Sequence, residues 1–208
     1  LVNEAVRAVK SKKNVVYLSF EMSSLSVIER AYKCIFGRPT GFNREDPVEK
    51  IKLQEELAKQ KGNLGDFRVF QFPTGVANTR DIENYLINLE KSSGKIFDVV
   101  VIDYLNLMGP MSRKRSDNMY LKIKEIVESL RALAIRRNCV VITATQTNRG
   151  GKGKDGGAYN RNDYGMDDVS ESASISHTVD VLWAIIQTND DRKDNSYFLK
   201  LAKTRNSG

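Results

Sequence analysis

Short blocks of consecutive aliphatic residues alternate along this chain with longer stretches in which apolar positions recur every three or four residues. The clearest block is Val99-Val100-Val101-Ile102, entered through Phe97 and Asp98, closed by Asp103 and followed by Tyr104 and Leu105-Asn106-Leu107-Met108. A continuous β-branched run reads as a strand buried on both faces, which places it in the middle of a mostly parallel sheet. Residues 15–20, 68–72, 140–145, 181–187 and 197–203 read as further strands. Between them lie the helical stripes. Val2, Ala5, Val6 and Val9 form one, with no capping residue ahead of them. A second helix opens at Met22-Ser23-Ser24 and runs to about Phe36, where Gly37, Pro39 and Gly41 break it. Residues 48–61 read as a charged helix with Ile51 and Leu57 as its apolar contacts. Ile82, Tyr85, Leu86 and Leu89 mark a helix from Thr79 to Gly94, and Ile123, Ile126, Val127, Leu130, Leu133 and Ala134 mark the strongest one. Alternating strands and helices predict an α/β fold, a doubly wound, mostly parallel sheet flanked by helices.

Composition and hydropathy narrow this picture in four ways. A chain of 208 residues with 40% hydrophobic content buries one sizeable core, and it shows neither internal repeats nor a domain boundary. Thirty-three Lys and Arg against 26 Asp and Glu leave a net charge of +7, which points to a polyanionic partner such as nucleic acid. Cys34 and Cys139 lie far apart, and His177 is the lone histidine, so neither a zinc site nor a disulfide framework is indicated; this fits a reducing compartment. No apolar run reaches the roughly 18 residues of a membrane span.

Two acids stand out by position. Asp103 closes the central strand, and an acid at a strand's carboxyl end faces the crevice where α/β sheets bind ligands. Such a carboxylate suits a hydrated Mg²⁺ beside nucleotide phosphates; capping the following turn is the alternative. Glu21 follows a second buried strand, as a catalytic acid or as a carboxylate favoured near a helix N-terminus. Residues 109–118 and 150–168 read as polar loops rich in Lys, Arg and Gly, either nucleic-acid contacts or solvated charge.

Five blocks taken in order resemble the RecA-like motor domain of DnaB-type hexameric replicative helicases, bacterial or phage. They are Val16–Ser23, Val99–Met108, Thr143–Arg149, Asp168–Asp180 and Lys203-Thr204-Arg205-Asn206. The resemblance implies a catalytic role for Glu21, a Walker B role for Asp103 in holding Mg²⁺ directly or through water, and a γ-phosphate sensor at Gln146, for which capping a strand is the alternative. It implies that Lys203 and Arg205 reach the neighbouring subunit's site; a solvated strand end is the alternative for that pair. ATP and Mg²⁺ are the implied cofactors. Single-stranded DNA, further copies of the chain in a ring, most simply a hexamer, and a primase or helicase loader are the implied partners, in a cytoplasmic setting. DNA contacts are expected from Arg113, Lys114, Arg115, Arg149, Lys152, Lys154, Arg161 and Glu171.

Departures accompany the matches. Ser170 and Ala173 replace an arginine and a glycine common in the family's Asp-Leu-Arg-Glu-Ser-Gly-Ser segment. No Gly-x-x-x-x-Gly-Lys-Ser/Thr loop occurs in the chain, so residues 1–208 are expected to be one RecA-like domain lacking its phosphate-binding strand upstream and its final strands downstream, and inactive in isolation. The rival expectations are another RecA-fold ATPase, of recombinase or clock type, and a non-hydrolysing interaction module.

Overall fold

The computed structural model describes residues 1–37, 46–60, 62–111, 119–146, 172–187 and 189–205. Four strands, β1 (Val15–Ser19), β2 (Phe67–Gln71), β3 (Val99–Asp103) and β4 (Val140–Thr143), pair side by side in the order β2-β1-β3-β4. All three pairings are parallel. The valine-rich block is therefore an interior strand with neighbours on both sides, as its unbroken apolar character predicts.

The pleat sorts side chains to two cores. Val16, Leu18 and Phe20 with Val100 and Ile102 face the helices α4 (Thr79–Ser93) and α5 (Met119–Arg137), which contribute Ile82, Leu86, Ile123, Ile126, Leu130 and Leu133. Val15 and Tyr17 with Val99 and Val101 face α1 (Val2–Lys10) and α2 (Ser24–Phe36), which contribute Ala5, Val9 and Val27. Each such side chain, fully buried, is worth about 1.5–3 kcal/mol against exposure, so the sheet is rigid where its strands end. Local signals set the helix limits. Asn78 caps α4 by accepting from the Arg80 and Asp81 amides while Asp81 accepts from the Asn78 amide. Gly94, at φ 68°, ends the same helix in the left-handed conformation that glycine adopts without a Cβ penalty.

Three expectations are corrected. The last two strands, β5 (Val181–Ile186) and β6 (Phe198–Thr204), do not extend the parallel sheet but pair with each other, antiparallel. The segment 187–197 between them is shorter than the dozen or more residues that a parallel crossover requires. Helix α3 (Pro47–Lys59) has no buried residue, and Ile51 is exposed rather than a core contact. Two short helices, α6 (Ser172–Thr178) and α7 (Asn189–Lys193), form in stretches whose sequence shows no helical period. Serine and threonine make α6 a weak helix former, and α7 is too brief to show a period.

Candidate functional site

Parallel strands in register deliver their following residues to one edge, and here three adjacent strands do so. Ser19 of β1 lies opposite Asp103 of β3, and Ile102 of β3 lies opposite Thr143 of β4. Glu21 is two residues past Ser19 and Gln146 three past Thr143, so Glu21, Asp103 and Gln146 leave the same carboxyl edge on neighbouring strands. Glu21 and Gln146 are exposed, whereas Asp103 is half-buried. The edge is stitched together by backbone and side-chain bonds. The Phe20 amide donates to the Asp103 carbonyl at 2.7 Å, and the Leu105 amide to the Ala144 carbonyl at 3.3 Å. Thr145 Oγ1 donates to Asn106 Oδ1 at 2.9 Å, and Ser19 Oγ accepts from the Met22 amide at 2.9 Å.

Two further residues belong to this edge. Tyr17 Oη donates to Asp103 Oδ2 at 2.5 Å from a ring with no exposed surface. Burial first, and then the bond to Asp103, push the phenol well above its ordinary pKa, so it stays a donor at neutral pH. Thr74 Oγ1 donates to the Phe20 carbonyl at 2.6 Å, tying the loop after β2 to the residue before Glu21. The same loop meets the turn after Asp103: the Gly75 amide donates to the Leu107 carbonyl and the Gly109 amide to the Ala77 carbonyl, each at 2.8 Å. Alternation along β1 puts Tyr17 on one face with Val15, but the β1–β3 register that brings it to Asp103 carries no local signal. Thr74 sits in a plain Pro-Thr-Gly turn and shows no pattern either.

Lys203 and Arg205 lie elsewhere among the described residues. The Lys203 ammonium donates to the Ser176 carbonyl, and Arg205 Nη2 to the carbonyls of His177 at 2.8 Å and Thr178 at 3.4 Å. They cap the carboxyl end of α6, where cations are favoured, and Asp180 links Arg205 (3.5 Å) to Arg131 of α5 (2.7 Å). Arg113, Lys114, Arg115, Arg149, Lys152, Lys154, Arg161 and Glu171 lie outside the described residues.

Could this edge hold a metal? Among the described residues no three His, Cys, Asp or Glu side chains come together, so an all-protein cage is not offered. Mg²⁺ needs none, since one or two carboxylates and substrate phosphates suffice. Asp103, with Oδ2 on Tyr17 and no other side-chain hydrogen bond among the described residues, fits that demand through Oδ1.

A parallel sheet between helix layers, with acids at its carboxyl edge, is a doubly wound α/β nucleotide-binding type of architecture. A solved ATPase domain superposes with a TM-score of 0.71 at 20% identity, over 100% of this chain and 72% of that one. The structure of a DnaB-like replicative helicase and its interactions with primase gives 0.70 at 20% identity, over 100% of this chain and 50% of its own. The chain belongs to the DnaB-like helicase C-terminal domain family, whose model matches residues 1–208. The DnaB-like replicative helicase of Enterobacteria phage T4 is 30% identical over 199 residues, covering 92% of this chain and 40% of that protein. The replicative DNA helicase DnaB of Geobacillus stearothermophilus is 27% identical over 205 residues, covering 96% and 43%. The chain thus spans about two-fifths of the length of these curated relatives. No helix among the described residues is long and apolar enough to cross a membrane.

Proposed function

We propose that this domain is the motor of a replicative DNA helicase that couples ATP hydrolysis at subunit interfaces to movement along single-stranded DNA. The observation that carries it is the common edge of Glu21, Asp103 and Gln146 on three adjacent parallel strands. Phosphoryl transfer needs a water oriented for attack, a contact to the γ-phosphate and compensation of charge in the transition state. Glu21, exposed beyond β1, orients the water and takes its proton. Gln146, exposed beyond β4, hydrogen-bonds the γ-phosphate and senses its loss. Asp103 would hold a Mg²⁺, directly or through water, and the metal would supply charge compensation for the phosphates. Lys203 and Arg205 serve the neighbouring subunit of a ring, exchanging their carbonyl partners at the end of α6 for phosphate oxygens.

DNA is held electrostatically by the stretches of sequence that follow Asp103 and Gln146, through Arg113, Lys114, Arg115, Arg149, Lys152, Lys154 and Arg161, with Glu171 of the Asp168–Asp180 block as a further contact residue. The first of these loops begins where Gly109 is bonded to the segment that also anchors Phe20, a physical link from strand end to loop. Membership of the helicase family supports this reading over a recombinase or an interaction module. A primase partner follows by analogy with the solved relative. The test is ATP-driven unwinding of a forked DNA by the full-length protein. Unwinding that Asp103→Asn abolishes is expected; wild-type protein that binds ATP and DNA but separates no strands overturns the proposal.

A further inference from the structure

The Tyr17 phenol plays no part in the chemistry above, yet it contacts the carboxylate assigned to the metal. We propose that Tyr17 is a positioning residue that sets metal specificity: by occupying Oδ2 of Asp103 it makes the acid a one-oxygen ligand, favouring Mg²⁺ over Ca²⁺ in the metal–nucleotide complex. The inference rests on the assignment of Asp103 as the residue that holds the metal.

The geometry is built in. Tyr17 pairs with Val101, two residues before Asp103 on the same face, so its ring reaches one pleat along β3 to meet the carboxylate. The ring is fully buried in a core shared with Ala5, Val9 and Val27, which fixes the hydroxyl in place. Moving the phenol off Oδ2 would leave a buried hydroxyl without a partner. The two cations differ in what they ask of a carboxylate. Mg²⁺ keeps near-octahedral geometry at about 2.0–2.1 Å, retains waters and accepts a single carboxylate oxygen. Ca²⁺ gathers roughly six to eight oxygens at about 2.3–2.6 Å and readily takes both oxygens of one carboxylate. With one lone pair of Oδ2 already accepting from a donor at 2.5 Å, Asp103 meets the first demand without rearrangement, whereas the second crowds or displaces the phenol.

The experiment titrates binding of a fluorescent ADP analogue to the full-length protein with Mg²⁺ and with Ca²⁺. Wild type, Tyr17→Phe and Asp103→Asn are compared. Phenylalanine keeps the ring and its packing and removes only the hydroxyl. Tyr17→Phe should narrow the Mg²⁺-to-Ca²⁺ preference on the order of tenfold, the scale of one hydrogen bond to a charged group, by tightening Ca²⁺ binding. A general structural defect would weaken both cations alike and leave the ratio alone. An unchanged ratio in Tyr17→Phe, with metal dependence lost in Asp103→Asn, overturns the role of Tyr17 only. Metal dependence that survives Asp103→Asn overturns the metal assignment and this inference with it. A crystal structure of the wild-type protein with Mg-ADP needs no variant: Tyr17 should remain on Oδ2 with the cation or its water on Oδ1, and a cation on both oxygens overturns the proposal.

Discussion

Thr74→Val separates anchoring of the Glu21 segment from its chemistry. The substitution keeps the shape of the side chain and removes the 2.6 Å bond from Oγ1 to the Phe20 carbonyl. Phe20 is buried, at 2% exposure, so its carbonyl loses a partner that solvent replaces only from the Thr74 side, where the loop is exposed. A neutral hydrogen bond contributes about 0.5–1.5 kcal/mol, and partial access of water puts the loss near the middle of that range, about 1 kcal/mol. With a urea slope of about 1–3 kcal/mol per molar, the unfolding midpoint should fall by several tenths molar. Thr74→Ser retains the hydroxyl and should retain the midpoint. Because Glu21 follows Phe20 directly, kcat of the full-length protein should fall in Thr74→Val and recover in Thr74→Ser, with nucleotide affinity unchanged. An unaltered midpoint in Thr74→Val refutes the anchor, and a lowered midpoint with kcat intact refutes its connection to Glu21.

Gly65→Ala should destabilise by about 3 kcal/mol in urea unfolding, since a Cβ at that position would lie 1.9 Å from the Lys13 carbonyl oxygen, which belongs to backbone and cannot swing away. Asp66 pairs with Lys95 and Arg68, each at 3.1 Å; burial alone would raise its pKa, but the two cations outweigh it and hold the carboxyl below its usual value. Its stabilisation is therefore complete above the unfolded-state value near 3.8 and is lost as pH falls through the lower folded value, so the stability gap to Asp66→Asn, about 1 kcal/mol with half-exposed partners, should be flat from pH 5 to 8 and close below about pH 4. Subunits carrying Arg205→Ala should bind nucleotide normally, and mixing them with Glu21→Gln subunits should restore part of the ATPase activity, as measured after co-assembly; no gain over either variant alone would count against a shared site.

Much of this architecture is legible in the chain. The β-branched run at 99–102 announces an interior strand because both faces must be apolar, and the α5 stripe at Ile123, Ile126, Leu130 and Leu133 announces a helix pressed on that strand. Acids at strand ends mark the edge that Glu21 and Asp103 share. What the chain hides is pairing. Nothing local tells Tyr17 that Asp103 will lie beside it, because that neighbour is set by the register of two strands far apart in sequence. The antiparallel pairing of β5 and β6 is likewise a matter of which strands meet, which their own composition does not announce. The weak helix α6 forms where Lys203 and Arg205, from the far end of the chain, satisfy its last carbonyls.

The central claim is that Glu21 is the group that activates water at this edge, and Glu21→Gln in the full-length protein tests it most directly. Single-turnover ATP hydrolysis and Mg-nucleotide affinity are measured on the same preparation. Turnover should fall by about 10²–10⁴-fold, the worth of a positioned general base, while nucleotide affinity stays unchanged. Near-normal turnover with Gln at position 21 would contradict the account.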